Sequence, residues 1–169
     1  MTERLTTIDL HMQALKFSAA HFTIFNATER ERLHGHNYAV TCRITAPIGD
    51  DGLTCDYAVF KKKLYSLINS LDEYTIIAKH SPYQKIEDAD PFYKVTFHDH
   101  HLLLRKVETL LLPIRNTTVE ELSFYILDEL CKDKEFLKHY DVRRLETTVA
   151  SGPGQHGSAV WEKQGSESC

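Results

Sequence analysis

Leu33-His34-Gly35-His36-Asn37-Tyr38-Ala39-Val40-Thr41-Cys42-Arg43-Ile44-Thr45 alternates on a two-residue period, and that reading decides the fold. In a strand, the side chains of His34, His36, Tyr38, Val40 and Cys42 project from one face. The two imidazoles then stand side by side, with Gly35 leaving room for an ion between them. A second strand, Thr6 to Ile24, holds Phe17 and Phe22 and carries His21 near its end. A third imidazole from such a neighbour completes three protein ligands with a fourth position open, the coordination of a catalytic rather than a structural zinc. Three imidazoles would take zinc or iron.

Outward from these strands, Asn26 to Arg32 is a polar loop and Pro47 to Gly52 is turn chemistry. Asp56 can cap a helix from about Tyr57 to Leu71, because Val59, Phe60, Leu64, Leu67, Ile68 and Leu71 recur at spacings of three and four. Thr117 or Thr118 begins a second helix, with Glu120 and Glu121 in its first turn and the stripe Leu122, Tyr125, Ile126, Glu129, Leu130. Between the helices the hydrophobic runs Phe92 to Phe97 and Leu102 to Lys106 flank His98-Asp99-His100-His101, a hairpin with a polar tip. Val142 to Ala150 and Ser158 to Trp161 read as closing strands. Strands in pairs with two helices between them indicate an α+β domain with the helices on one sheet face.

Composition sets the outer bounds. A chain of 169 residues, 42% hydrophobic and 10% aromatic, can bury one substantial core, so a single domain is expected. A net charge of −4 offers no footprint for nucleic acid or an anionic membrane. No stretch approaches the roughly 20 apolar residues that span a bilayer, and Glu3, Arg4 and Asp9 interrupt any signal-peptide run. A soluble, cytoplasmic protein is the expectation. Cys42, Cys55, Cys131 and Cys169 lack Cys-x-x-Cys spacing and suggest neither a disulfide framework nor a thiolate site.

The competing readings are plain ones. A lone strand histidine is usually hydrogen-bonded or at the surface, and it is the grouping of three that argues for metal. In His98 to His101 only His98 and His100 could converge, so a solvated tip is expected there. Glu29-Arg30-Glu31-Arg32 taken alone is a solvated charge run, and Asp72-Glu73 taken alone is an ordinary helix end.

The sequence resembles the 6-pyruvoyl-tetrahydropterin synthase and 6-carboxytetrahydropterin synthase family. The resemblance rests on Phe17-Ser18-Ala19-Ala20-His21, Leu33 to Tyr38, Asp51-Gly52-Leu53-Thr54-Cys55-Asp56-Tyr57, Leu71-Asp72, and Pro113 to Leu122, in that order over about residues 12 to 161. It implies a T-fold, an antiparallel sheet with two helices on one face. Subunits would assemble into a ring, a trimer or hexamer, with active sites between them. It also implies that His21, His34 and His36 bind zinc and that the substrate is 7,8-dihydroneopterin triphosphate or a close pterin. Metal binding would acidify the substrate's side-chain hydroxyls, and a nearby base would move protons and eliminate triphosphate. The products open to such an enzyme are 6-pyruvoyl-tetrahydropterin, 6-carboxytetrahydropterin and 6-hydroxymethyl-dihydropterin.

Departures from the family pattern sharpen these expectations. Arg30 stands where most members carry a catalytic cysteine, and a guanidinium is no base at neutral pH. One branch, best known from malaria parasites, instead uses a glutamate three residues before the His-Gly-His motif, where Glu31 stands, and cleaves the side chain to the hydroxymethyl product. That branch also carries an insertion resembling Ala78 to Pro113. The expected domain is therefore a single T-fold over 1–169, with an inserted hairpin around 78–113 and a disordered tail at 164–169. Asp72-Glu73 replaces an Asp-His proton relay, and Ser151 aligns with a pterin-gripping glutamate, for which a local shift would have to recruit Glu146. Thr117, Thr118 and Glu120 match the other pterin-contact region. These substitutions motivate a second reading, a zinc-containing homologue that binds a pterin or purine without turnover, and a third, an oligomer with a vestigial metal site.

Overall fold

The computed structural model describes residues 3–164, and of residues 12–14 the backbone alone. Strand β1 (Leu5–His21) pairs antiparallel with β2 (His34–Pro47) from Leu5↔Pro47 to His21↔His34, with one irregularity between His11 and Lys16. Burial along β2 alternates as its sequence does, with Tyr38, Val40, Cys42, Ile44 and Ala46 inward. The sheet extends through β8 (Arg144–Gly152) and the edge strand β9 (Gln155–Glu162) on one side, and through β3 (Tyr74–Ala78) and β7 (Thr109–Leu112) on the other. The order is β7-β3-β1-β2-β8-β9.

The sheet is mixed rather than wholly antiparallel, since β3 runs parallel to both β1 and β7. These two short strands have no alternation to betray them, because both faces of β3 are covered. Ile76 joins the main core, and Ile77 joins a smaller one with Phe22, Ile24, Val95 and Phe97. That smaller core is roofed by a separate antiparallel sheet, β4 (Gln84–Ala89), β5 (Phe92–Phe97) and β6 (His100–Arg105). The stretch read as one hairpin thus holds three strands of its own, and the tip at His98-Asp99 is exposed.

Helix α1 (Tyr57–Asn69) is capped by the Asp56 carboxylate, which accepts from Ala58 N at 2.9 Å, and it buries Phe60, Leu64 and Ile68. It stops two residues short of Leu71, which is nevertheless buried. Helix α2 (Val119–Cys131) is capped by Thr118 and buries Leu122, Ile126, Leu127 and Leu130 against the same sheet face. A third helix, α3 (Lys134–His139), is too short for its periodicity to register. Asp133 caps it by accepting from Phe136 N at 2.9 Å, and Phe136 and Leu137 seal the end of the core. Phe17 and Tyr38, both 1% exposed, stack at 4.8 Å between ring centroids and floor the core below the histidines.

One close approach fixes α2 over the sheet. A Cβ added to Gly157 on β9 would lie 2.8 Å from Glu120 N and 2.9 Å from the Val119 carbonyl carbon, so only glycine lets the helix start rest there. No helix among the described residues is long and apolar enough to cross a membrane. All but the first residue of the expected tail at 164–169 lies outside the described residues, as does Cys169.

Candidate metal centre

Because His21 and His34 are direct partners across β1 and β2, and His36 follows on the same face of β2, the strand register alone brings three rings together. Ring centroids lie 4.7 Å (His21–His34), 5.2 Å (His21–His36) and 4.8 Å (His34–His36) apart. One ligating nitrogen from each lies within 4.8 Å of the others. Tetrahedral ligands at the usual zinc–nitrogen length sit roughly 3.3 Å apart, so small ring rotations would meet that geometry.

Hydrogen bonds set which nitrogens are free. The Nδ1–H of His21 donates to the Thr117 carbonyl at 2.9 Å, and that of His34 donates to the Arg32 carbonyl at 2.8 Å. A carbonyl only accepts, so both rings carry their proton on Nδ1 and turn a lone pair outward on Nε2. The Nε2 of His21 is buried with no partner in the protein. The Nε2 atoms of His34 and His36 face each other at 2.9 Å. An orphaned buried acceptor beside two more convergent nitrogens fits a cation. Burial, joined by repulsion from His34 and His36, drives the His21 pKa from 6.5 down to about 4, so this ring stays neutral and ready to ligate.

Gly35 is not what makes the room. It faces the other side of the strand, where a Cβ would meet the Ala19 carbonyl oxygen at an ordinary 3.6 Å.

Beside the imidazoles lies a cleft of about 230 Å³ that gathers most of the sequence-predicted residues: His21, His36, Glu31, Thr117, Thr118, Glu120 and Ser151. Thr23, Tyr38 and Gln155 also line it, and sequence reasoning had not assigned them roles in the site. Tyr38 had the one usable signal, its place on the histidine face of β2. Burial, with the Glu31 charge adding to it, pushes its phenol pKa well above the ordinary range, so it stays protonated.

Glu31 is held from two directions. Its backbone N–H donates to Thr23 O at 2.9 Å, and its Oε2 accepts from Thr23 N at 2.9 Å. Burial alone would raise its pKa. The Thr23 hydrogen bonds and the nearby His34 and His21 outweigh that, leaving it below the usual carboxylate range. Arg30 turns away, its guanidinium 4.6 Å over the Phe22 ring and its Nη1 donating to Glu31 O at 2.7 Å.

Asp72 and Glu73 do not reach this cleft within one chain. Asp72 Oδ1 accepts from Ser18 N at 2.6 Å, and Glu73, at φ 64°, donates its N–H to Ser18 O at 2.8 Å. Both bonds reach backbone groups, which lie in the sheet plane, so they tie the acidic pair to β1 at Ser18. Glu73 lines a second cleft of about 460 Å³ with Ser18, Gly35, His36, Asn37 and Glu108, and His36 is the one residue common to the two clefts. Glu146 does not line this cleft either: it alternates with the buried Leu145 and Thr147 on β8 and pairs with Arg144 at 2.6 Å. The His98–His101 cluster stays at the exposed tip, where Asp99 accepts from His98 at 2.6 Å.

A mixed sheet with helices packed on one face and a convergent three-imidazole group at the end of its central hairpin defines a T-fold enzyme of the pterin synthase class. The sequence matches the 6-pyruvoyl tetrahydropterin synthase family over residues 12–152, and the chain belongs to that family. It is 28% identical over 144 residues, 83% of this chain and 86% of the relative, to a provisionally named 6-carboxy-5,6,7,8-tetrahydropterin synthase of Methanocaldococcus jannaschii. The crystal structure of Plasmodium vivax 6-pyruvoyl tetrahydropterin synthase superposes with a TM-score of 0.90 at 29% identity, covering 95% of this chain and 99% of that one. Two further P. vivax structures replace a glutamate named as a catalytic residue with cysteine or alanine. The Plasmodium falciparum 6-pyruvoyl tetrahydropterin synthase gives a TM-score of 0.89 at 28% identity, covering 94% and 99%.

Proposed function

We propose that this chain, acting as a single T-fold domain, is a zinc-dependent pterin synthase that takes 7,8-dihydroneopterin triphosphate and cleaves its side chain to 6-hydroxymethyl-dihydropterin. The observation that carries the reading is the shared cleft in which an anchored carboxylate, Glu31, stands beside His21 and His36. Zinc held by His21, His34 and His36 would supply Lewis acidity to a hydroxyl placed beside it.

The chain's own residues do the rest. Glu31, kept ionised by its Thr23 hydrogen bonds, takes the proton of a side-chain hydroxyl. The alkoxide collapses to the carbonyl of a departing two-carbon aldehyde that carries the triphosphate, the adjacent carbon–carbon bond breaks, its electron pair enters the ring imine, and a proton returns to the ring-side carbon. Glu120 accepts N–H donors of the pterin ring, while Thr117, Thr118 and Ser151 supply shorter polar contacts from the same walls. Arg30, lying on Phe22, leaves Glu31 as the base. The replaced catalytic glutamate of the P. vivax enzyme supports this assignment. Asp72 and Glu73 act from a second copy of the chain in a homo-oligomer, a trimer or hexamer, which accounts for their standing outside the Glu31 cleft of their own chain.

The test is incubation of zinc-loaded protein with 7,8-dihydroneopterin triphosphate, followed by chromatography of the pterin product. The hydroxymethyl product is expected, and Glu31→Ala should lower turnover by about 10²–10⁴-fold while leaving zinc bound. Tight pterin binding with no product would establish the second reading, a pterin or purine binder, which draws on Ser151 standing where a carboxylate anchor is expected.

A further inference from the structure

Beyond His21 the β1 backbone has no strand partner in the sheet, yet it does not run free. Asn116 and Thr117 lie alongside it and replace a missing ladder with side chains. Asn116 Oδ1 accepts from Ile24 N at 3.0 Å and from Thr117 N at 3.0 Å, and its Nδ2 donates to Ile24 O at 2.8 Å. Thr117 Oγ1 donates to Phe22 O at 2.6 Å. The amide orientation is fixed by these partners, since an N–H needs the oxygen and a carbonyl needs the nitrogen. The carbonyl clamped by this arrangement is the one that receives His21 Nδ1–H at 2.9 Å.

We propose that Asn116 is a positioning residue for the metal centre: by fixing the Thr117 carbonyl against Phe22–Ile24 it locks the tautomer and orientation of His21. The inference rests on the three-imidazole centre of the proposed function and adds to it a residue that touches neither metal nor substrate. Two facts make the lock demanding. His21 is 5% exposed and its Nε2 has no partner in the protein, so no solvent reorients the ring if the carbonyl moves. Ile24 is 5% exposed, so both of its backbone groups depend on the one amide. Ile24 also bridges to Arg30, which ties the same clamp to the segment carrying Glu31. No smaller or apolar side chain can serve a donor, an acceptor and the Thr117 N–H together.

The experiment is a zinc titration of the full chain against a competing chelator, for wild type, Asn116→Ala, Asn116→Asp and Leu130→Ala. Asn116→Ala should raise the zinc Kd about 10–100-fold, the range for partners that orient a ligand. Asn116→Asp keeps the acceptor and loses the donor, so it should fall between the two. Leu130→Ala hollows the core under α2 and should lower the thermal midpoint without changing the zinc Kd. A long-range ¹⁵N–¹H imidazole spectrum of the metal-free protein should show His21 protonated on Nδ1 in wild type and as a tautomer mixture in Asn116→Ala.

Zinc affinity within twofold of wild type in a folded Asn116→Ala, or equal weakening in Leu130→Ala at a matched midpoint, overturns the inference. If the alanine variant does not fold, an Asn116→Asp protein with unchanged zinc Kd and unchanged His21 tautomer overturns it as well. Wild-type protein that takes up no zinc overturns the metal centre itself, a different result from a wild type that binds and a variant that binds equally.

Discussion

The Nε2 atoms of His34 and His36 face each other at 2.9 Å, brought together by their spacing on one strand. At that distance the two nitrogens share either a proton or a cation, and an ion bound there would take both lone pairs. Purified protein should therefore carry close to one transition-metal ion per chain by elemental analysis. His34→Ala or His36→Ala should lower zinc affinity by about 100-fold or more, beyond what outer partners contribute.

Metal removal should also reach stability. A ligand that binds only the folded chain adds about 4 kcal/mol at a thousandfold excess over its Kd. Chelator should accordingly lower the thermal midpoint, and zinc added back should restore it. An unchanged midpoint would speak against the centre.

Acid should destabilise the metal-free protein in a defined window. The folded His21 titrates near 4 and the unfolded one near 6.5, so between these values the unfolded chain takes up the proton first. Stability then falls as pH drops from about 6.5 to about 4, by as much as ~3 kcal/mol from this group. Urea melts at pH 7 and pH 4.5 measure the slope, and His21→Phe should flatten it.

Gly157→Ala should push the start of α2 off the sheet, since the added Cβ would meet Glu120 N at 2.8 Å. A loss of about 1–3 kcal/mol is expected, with weaker pterin binding because Thr118 and Glu120 shift with the helix. Gly152→Ala, where a Cβ meets nothing within 4 Å, is the matched control and should stay within about 0.5 kcal/mol.

If Asp72 and Glu73 serve a neighbouring chain's cleft, two inactive proteins should complement. Glu31→Ala and Asp72→Asn subunits, unfolded together and refolded as a mixture, should regain part of the activity that each lacks alone. No recovery in a mixture shown to contain hybrid oligomers would restrict the acidic pair to holding the turn at Ser18.

The convergence of His21, His34 and His36 was legible because alternation on β2 and its register with β1 are consequences of sequence. Asp56 and Thr118 announced α1 and α2 for a similar local reason, a short polar cap before a three-to-four repeat. The strands β3 and β7 were not legible, since a strand covered on both faces has no polar phase. Nor was α3, at six residues. The place of Asp72 and Glu73 was hidden for a different reason: it depends on which point of β1 the chain meets after α1, and a dipeptide does not carry that. Asn116 escaped notice because its work is done against backbone 92 residues away, with no motif to mark it.

Strand β3 divides two interiors, Ile76 looking into one and Ile77 into the other, and the smaller interior shares Phe22 and Phe97 with the guanidinium that steadies the segment bearing Glu31. The three-stranded sheet thus covers both the segment bearing Glu31 and the Phe22–Ile24 backbone against which Asn116 and Thr117 are held. Shortening it to a bare turn would strip the cover from both at once, so cobalt uptake and turnover should fail together.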